Sequence, residues 1–371
     1  MIWIDQQPSL DLALDRVAAN RVVAVDTEAD SLHSYFDKVC LIQISIPGED
    51  FVVDPLRKLD LARFGDVLQN RDITKILHGA DYDLRILNRD FGFTPVNLVD
   101  TMICAQLLGY EAIGLAALLE RHFGLQLDKS HQRADWAQRP LPRDMLEYAS
   151  TDTRHLVELA EKLRAELAAL GRWEWALEEF ARLETVRWTE REEEEPFRRL
   201  KGIGGLDRRS LAVVRALYDF RDRLARTADR PPFKIFSNDL ILDAAKIKPQ
   251  KDADLPKLKA LTPGHRHRFG REIVRLVREA VALPEEQMPE RSESKSWLRD
   301  KDLDGRINAL KQVRDKYAAE LKIDPSVVAP RHILAAVAAL RPKSVADLDS
   351  IPAMRAWQKR LLGHELVSVL T

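Results

Sequence analysis

The sequence predicts an α/β domain with a mixed, helix-flanked sheet over residues 1–195, followed by two all-α modules over 196–284 and 285–371. Three observations carry this reading. Short apolar runs alternate with helical patterns in the first 140 residues, and beyond Pro196 the patterns turn helical with little strand-like alternation. The two segments after Pro196 also repeat each other at a constant offset of 93 residues.

Val22-Val23-Ala24-Val25, Val39 to Ile46 and Phe51-Val52-Val53 read as strands separated by polar or turn-like segments. Lys75-Ile76-Leu77 is a further short run. It leads through His78-Gly79-Ala80 into Asp81 to Phe91, which has helical spacing. From Pro142 to about Leu170 a single helical pattern is expected, because Pro142 suits a first turn and the residues after it are dominated by Ala and Leu. Glu192 to Glu195, closed by Pro196, marks one boundary, and the Pro-, Glu- and Ser-rich stretch Leu283 to Ser296 reads as a linker. In the 93-residue register Leu217 matches Leu310, and Arg221-Asp222 match Arg314-Asp315. Pro232, Pro249 and Asp254-Leu255 match Pro325, Pro342 and Asp347-Leu348. That register implies two copies of one helical module.

With 45% hydrophobic and 32% charged residues, the 371-residue chain is that of a globular protein and not an extended disordered one. Its longest apolar run, Ile333 to Leu340, falls far short of the roughly 20 residues a membrane span needs. Asp5, Asp11 and Asp15 argue against a secretory leader, so a cytoplasmic protein is expected. The two cysteines, Cys40 and Cys104, stand among apolar residues and are expected as buried, reduced thiols.

Charge is segregated. Residues 1–195 hold 22 Lys and Arg against 36 Asp and Glu, a net of −14, whereas 196–284 carry a net of +11 and 285–371 a net of +2. A basic module beside an acidic domain fits a polyanion held by one part and acted on by another. A basic surface docked on the acidic domain of the same chain fits it equally. Arg198, Arg199, Lys201, Arg208 and Arg209 cluster at the start of the basic module, and Arg266 and Arg268 stand in His265-Arg266-His267-Arg268 near its last helix. Aromatic residues are sparse there. Gly202-Ile203-Gly204-Gly205 reads as a turn and not a phosphate loop, because it lacks the Lys-Ser/Thr ending and a preceding strand.

Three groups of acids carry the chemistry. Asp26 and Glu28 stand two apart at the end of an apolar strand, so both project from one face. Paired carboxylates there repel each other and resist desolvation unless a hard cation joins them or both reach water at an edge. Tyr148 and Asp152 are four apart on one helical face, an arrangement equally ordinary for a surface. Asp81 and Asp83 open the helix after His78: Asp81 reads as its N-cap, and Asp83 suits the positive helix end.

Together these acids match the donor set of a two-metal site for phosphoryl chemistry. In spacing and order they resemble the DEDD superfamily of 3′-to-5′ exonucleases, in its tyrosine branch, and most closely the ribonuclease D family. Asp26-Thr27-Glu28 resembles the first motif, His78 with Asp83 the second, and Tyr148 with Asp152 the third. Arg133 to Leu141 looks like the segment preceding the third motif, and the repeated modules resemble helicase-and-ribonuclease-D C-terminal (HRDC) domains. The resemblance implies a ribonuclease H-like exonuclease domain with two HRDC domains, acting as a monomer on single-stranded RNA 3′ ends, transfer-RNA precursors among them. It implies two divalent cations, Mg²⁺ or Mn²⁺: Asp26 bridges them, Glu28 and Asp152 complete one shell, and Asp83 holds the second ion through water. Tyr148 positions the attacking water, because a phenol with a pKa of about 10 is a poor base at neutral pH.

The chain departs from the pattern at Ala29, where the family often has an aromatic residue, so any stacking duty passes elsewhere, with Tyr35 and Phe36 as candidates. Asp81 lies close enough to Asp83 to compete for the second-motif role, which the distance from His78 assigns to Asp83. A DNA 3′-to-5′ exonuclease and a catalytically inert nucleic-acid-binding protein stand as alternatives, the second disfavoured by the presence of all five site residues.

Overall fold

The computed structural model describes residues 1–128, 130–189, 195–291 and 301–370. Six strands form one mixed sheet: β1 (Ile2–Ile4), β2 (Val22–Ala29), β3 (Val39–Ile46), β4 (Glu49–Val53), β5 (Thr74–Leu77) and β6 (Leu98–Asp100), in the order β1-β4-β3-β2-β5-β6. The β2–β3 and β3–β4 pairs are antiparallel, while β1–β4, β2–β5 and β5–β6 are parallel. β3 is buried at every position, its polar Gln43 and Ser45 included.

Strand alternation sends β2 side chains to two different cores. Val23 and Val25 join Leu10, Leu14 and Val17 of helix α1 (Gln7–Ala18), Phe64 and Leu68 of α2 (Ala62–Gln69), and Leu84 and Leu87 of α3 (Asp81–Phe91). Ala24 turns the other way, toward Cys104 of α4 (Thr101–Leu108), Leu118 of α5 (Leu115–Phe123), and the helices that come after α6 (Arg143–Arg154). The single helix expected from Pro142 to about Leu170 is in fact two, α6 and α7 (Leu156–Ala169), parted at His155. The break has a packing cause. Met145 and Ala149 of α6 bury against Cys40, Leu41 and Val52 of the sheet, whereas Leu156, Leu159, Leu163 and Leu167 of α7 bury with Cys104 and Leu107. α8 (Trp173–Leu183) completes this layer.

Beyond the sheet, α9 (Arg208–Thr227), α10 (Pro232–Ile235), α11 (Asn238–Ile247) and α12 (Pro263–Ala282) form the first module. The second is built from α13 (Lys301–Leu321), α14 (Pro325–Val328), α15 (Arg331–Leu340) and α16 (Ala356–Ser368). The repeat extends to internal bonds. Arg221 donates to the Phe236 carbonyl and Arg314 to that of Ala329, each pair related by the 93-residue offset. Asp254 accepts from the amides of Gln250 and Lys251, and Asp347 from those of Lys343 and Ser344. Left-handed backbone recurs at Asp229 and Lys322, and again at Lys248 and Arg341.

The chain divides into two compact units. One holds Met1–Asp30, Lys38–Thr189 and Asp300–Thr371, so the second module packs with the α/β domain. There Trp357 stacks on Trp175 of α8 at 4.6 Å between centroids, and Arg355 pairs with Glu179 at 2.8 Å. Arg172 donates to the carbonyls of Leu107 and Leu321, both at 2.9 Å. Gly109 is required beside it: a Cβ there would lie 1.8 Å from the Lys322 carbonyl oxygen. The other unit holds Glu190–Arg299 with the loop Ser31–Asp37. Of the expected boundaries, most of Glu192 to Glu195 and the end of Leu283 to Ser296 lie outside the described residues.

Cys40 and Cys104 are buried free thiols, both pushed upward in pKa by burial, Cys40 to about 12. Among the described residues no helix is long and apolar enough to cross a membrane.

Candidate active site

The site forms where β2 ends beside α6. Asp26 and Glu28 project from the face of β2 on which α6 lies, and Asp152 meets them from α6. Carboxylate oxygens of Asp26, Glu28 and Asp152 all lie within 4.8 Å of one another. Thr27, between the two strand acids, faces the opposite side and is buried. Its hydroxyl donates to Asp83, which α3 brings from that other face. Asp83 therefore stands beside the three-acid cluster and not within it, close enough to raise the pKa of both Asp26 and Glu28.

The anchoring of α6 comes from residues before and along it. Trp136 is fully buried against this layer, and the Arg139 guanidinium holds the buried Asp54 carboxylate through two bonds of 2.6 and 2.7 Å. Arg139 also donates to the carbonyls of Cys40 and Trp136, tying the segment before α6 to β3. Farther along, Ser45 and Thr153 share a 2.7 Å hydrogen bond, and Arg154 reaches Asp50 at 2.7 Å. Tyr148, one turn before Asp152, lines a cleft together with Asp26, His78, Asp128 and Asp152.

Electrostatics set this cluster apart. Among the described residues, none of Asp26, Glu28, Asp83 and Asp152 has a Lys or Arg within ion-pair distance. Burial, reinforced by mutual repulsion, holds Asp26 well above the ordinary carboxylate range and pushes Glu28 up to about 9. Burial alone lifts Asp152 to about 7, and burial opposed by the Thr27 hydroxyl leaves Asp83 at about 6. Burial and the neighbouring acids also push the Tyr148 phenol upward, so it stays protonated at neutral pH. Half-buried carboxylates without basic partners among the described residues, converging on one point, are an oxygen donor set suited to hard divalent cations.

Asp81 behaves differently from expectation. The N-cap of α3 is Ala80, no side chain caps it, and the exposed Asp81 carboxylate is taken by Arg85 at 2.7 Å. Asp100 does the work instead, accepting from the amides of Gly79 and Ala80 and from Met102 and Ile103 at the start of α4. Asp83 is only 7% exposed. Sequence reasoning assigned no role to Thr27, Asp54, Asp100 or Arg139. Two of them carried a visible signal: Thr27 stands between two site acids, and Arg139 lies in the segment before the third motif.

The basic residues of the first module fall into two groups. Arg198 pairs with Glu195 and donates to the Glu290 carbonyl. Arg208 donates to the carbonyls of Glu285, Met288 and Pro289, and Arg209 to that of Val281. These three help close the end of the module, through the Glu195 carboxylate and backbone carbonyls. Arg199 and Lys201 are exposed. Arg266 and Arg268 are exposed too, line a concavity with His267 and Arg271, and have no carboxylate partner among the described residues.

A family model described as 3′-5′ exonuclease matches residues 1–168, and one described as HRDC domain matches residues 210–277 and 304–370. Ribonuclease D of Jannaschia sp. is 32% identical over 281 residues, covering 74% of this chain and 72% of that protein. Ribonuclease D of Acidiphilium cryptum is 29% identical over 98% of this chain and 91% of its own. Among solved structures, a Bifidobacterium adolescentis protein superposes with a TM-score of 0.85 at 29% identity, covering 100% of this chain and 97% of its own. Escherichia coli RNase D, an exoribonuclease involved in structured RNA processing, does so at 0.74 with 26% identity, covering 99% and 98%.

Proposed function

The chain belongs to the ribonuclease D family and is a 3′-to-5′ exoribonuclease, and from that premise we propose that it trims RNA 3′ ends, those of transfer-RNA precursors included, with two divalent cations, Mg²⁺ or Mn²⁺. The observation that supports the reading is the convergence of Asp26, Glu28 and Asp152 within 4.8 Å, with no basic partner among the described residues and with Asp83 beside them. Asp26, Glu28 and Asp152, with Asp83 beside them, would hold the cations, which would supply the Lewis acidity that activates water near neutral pH and stabilises the departing oxygen.

The chain's own residues do the rest. Tyr148, protonated because burial and acid neighbours raise its pKa, orients the attacking water and does not remove its proton. Thr27 holds Asp83 in place through its hydroxyl. Water adds to the terminal phosphodiester, the penultimate 3′ oxygen leaves with a proton, and a 5′-nucleoside monophosphate is released. Arg266 and Arg268 of the first module guide the RNA by its phosphates. The protein acts as a monomer in the cytoplasm.

A metal titration with 5′-labelled, 3′-tailed RNA tests this. Asp26→Asn and Asp152→Asn should each abolish hydrolysis with the fold intact, and Tyr148→Phe should be milder. Turnover retained in excess EDTA, or in Asp26→Asn, would overturn the two-cation reading. Matched RNA and DNA oligonucleotides decide the sugar preference.

A further inference from the structure

The loop Ser31–Asp37 comes directly after the strand that carries Asp26 and Glu28. At its neck Asp30 accepts from the Lys38 amide at 2.8 Å and from its ammonium at 2.6 Å. At its tip the Asp229 carboxylate accepts from the amides of both Tyr35 and Phe36 at 3.0 Å. Tyr35 is used up in this arrangement: its hydroxyl donates to Asp222 at 2.9 Å, and its ring packs against the core of the first module. Phe36 is not. The residue is 55% exposed although the Asp229 carboxylate holds its amide.

An exposed ring on a fixed backbone has paid the backbone part of its ordering entropy before any ligand arrives, which favours binding. Its surroundings specify the ligand. The Arg226 guanidinium lies 5.8 Å from the Phe36 centroid and 5.4 Å from that of Tyr35. The Lys234 ammonium reaches His33 of the same loop at 3.3 Å. Among the described residues, neither Arg226 nor Lys234 has a carboxylate within ion-pair distance. An open aromatic face flanked by such cations suits a single-stranded nucleic acid, whose bases stack and whose phosphates need counter-charge.

We propose that Phe36 stacks on a nucleobase of the RNA substrate, that Arg226 and Lys234 meet the flanking phosphates, and that Asp229 is the positioning residue that presents the ring. The proposal rests on the exoribonuclease reading and names how that site holds its substrate.

The test uses the full chain and a 5′-fluorescein oligoadenylate of a dozen nucleotides. Anisotropy in EDTA reads binding, Mn²⁺-dependent turnover reads KM and kcat, and hydrolysis of a p-nitrophenyl nucleotide ester reports the metal centre alone. Phe36→Ala should raise both Kd and KM about tenfold, the low end of the range for losing one base stack, with kcat and ester hydrolysis within about twofold. Phe36→Trp should restore both constants, and Asp229→Ala should reproduce part of the Phe36→Ala effect. Unchanged Kd in Phe36→Ala, or an equal fall in ester hydrolysis, would overturn the platform while wild-type turnover keeps the exoribonuclease reading. Phe36-dependent binding without wild-type turnover would do the reverse.

Discussion

At the corner after its first long helix each module holds a residue in left-handed conformation, Asp229 in the first and Lys322 in the second. The Asp229 carboxylate grips the amides of Tyr35 and Phe36, whereas the Lys322 carbonyl presses against Gly109. A second face diverges further. On α16, Arg355, Trp357 and Arg360 engage Glu178, Glu179 and Trp175 of α8. At the same register on α12 stand Thr262, Gly264 and His267, and the half-buried Leu361 is replaced by the exposed Arg268. The two copies share several bonds that hold the module together, and they differ in what faces outward. One copy became a buttress of the exonuclease domain, and the other kept a basic surface of +11 net charge.

The largest expected effect tests the buttress. Trp357→Ala removes a buried, stacked indole, a loss of about 3–5 kcal/mol. By calorimetry the unit containing the α/β domain should melt on the order of 10 °C lower. Gly264→Ala, at the matching place, meets nothing within 4 Å and should leave the thermogram unchanged. An unaltered melt in Trp357→Ala would end the division of labour.

The two units should also differ in pH response. Native Asp83, Asp152 and Glu28 hold their protons up to about 6, 7 and 9. The unfolded chain releases these protons at roughly 4. Stability from these groups is therefore complete below the unfolded value and is lost as pH rises through the folded values. In EDTA, the melt of the unit holding the α/β domain should fall between pH 5 and pH 9, and Asp152→Asn should flatten that slope. Mg²⁺ or Mn²⁺ should restore stability at high pH. A melt that rises with pH would contradict the burial of these acids.

A smaller effect separates the basic face from its counterpart. Arg266→Glu with Arg268→Glu should weaken RNA binding about tenfold at low salt. It should also lower the salt slope by about 0.7 for each phosphate no longer neutralised, read by anisotropy across a salt series. Lys359→Glu, at the site matching Arg266, should change neither. Least of all, Lys322→Gly should be neutral or stabilising by under about 1 kcal/mol, since it relieves left-handed strain. Asp229→Gly relieves the same strain but loses two hydrogen bonds and should be net destabilising in urea titrations.

Much of the fold was legible. Val39 to Ile46 coincides with β3, and Asp81 to Phe91 with α3, because predominantly apolar runs and 3.6-residue spacing are local signals. β1 and β6 escaped notice because three residues carry too little pattern, and the break at His155 did because Ala and Leu suit either helix. Within the site, the spacing of Asp26, Glu28, Tyr148 and Asp152 was readable along single elements. The partners Thr27–Asp83 and Arg139–Asp54 were not, since they lie 56 and 85 residues apart.

The sequence by itself determined which residues could carry charge to a reaction, that they share faces of a strand and a helix, and that one helical module occurs twice. Periodicity and spacing are properties of one segment, so they survive without the rest of the chain. Tertiary structure alone decided that Asp83 arrives from the far side of β2, that Asp81 pairs with Arg85, and that Arg208 and Arg209 close their own module. It alone assigned the two modules different neighbours. Hydrogen bonds and burial between distant segments depend on packing, and no local pattern records which partner a carboxylate or guanidinium will find.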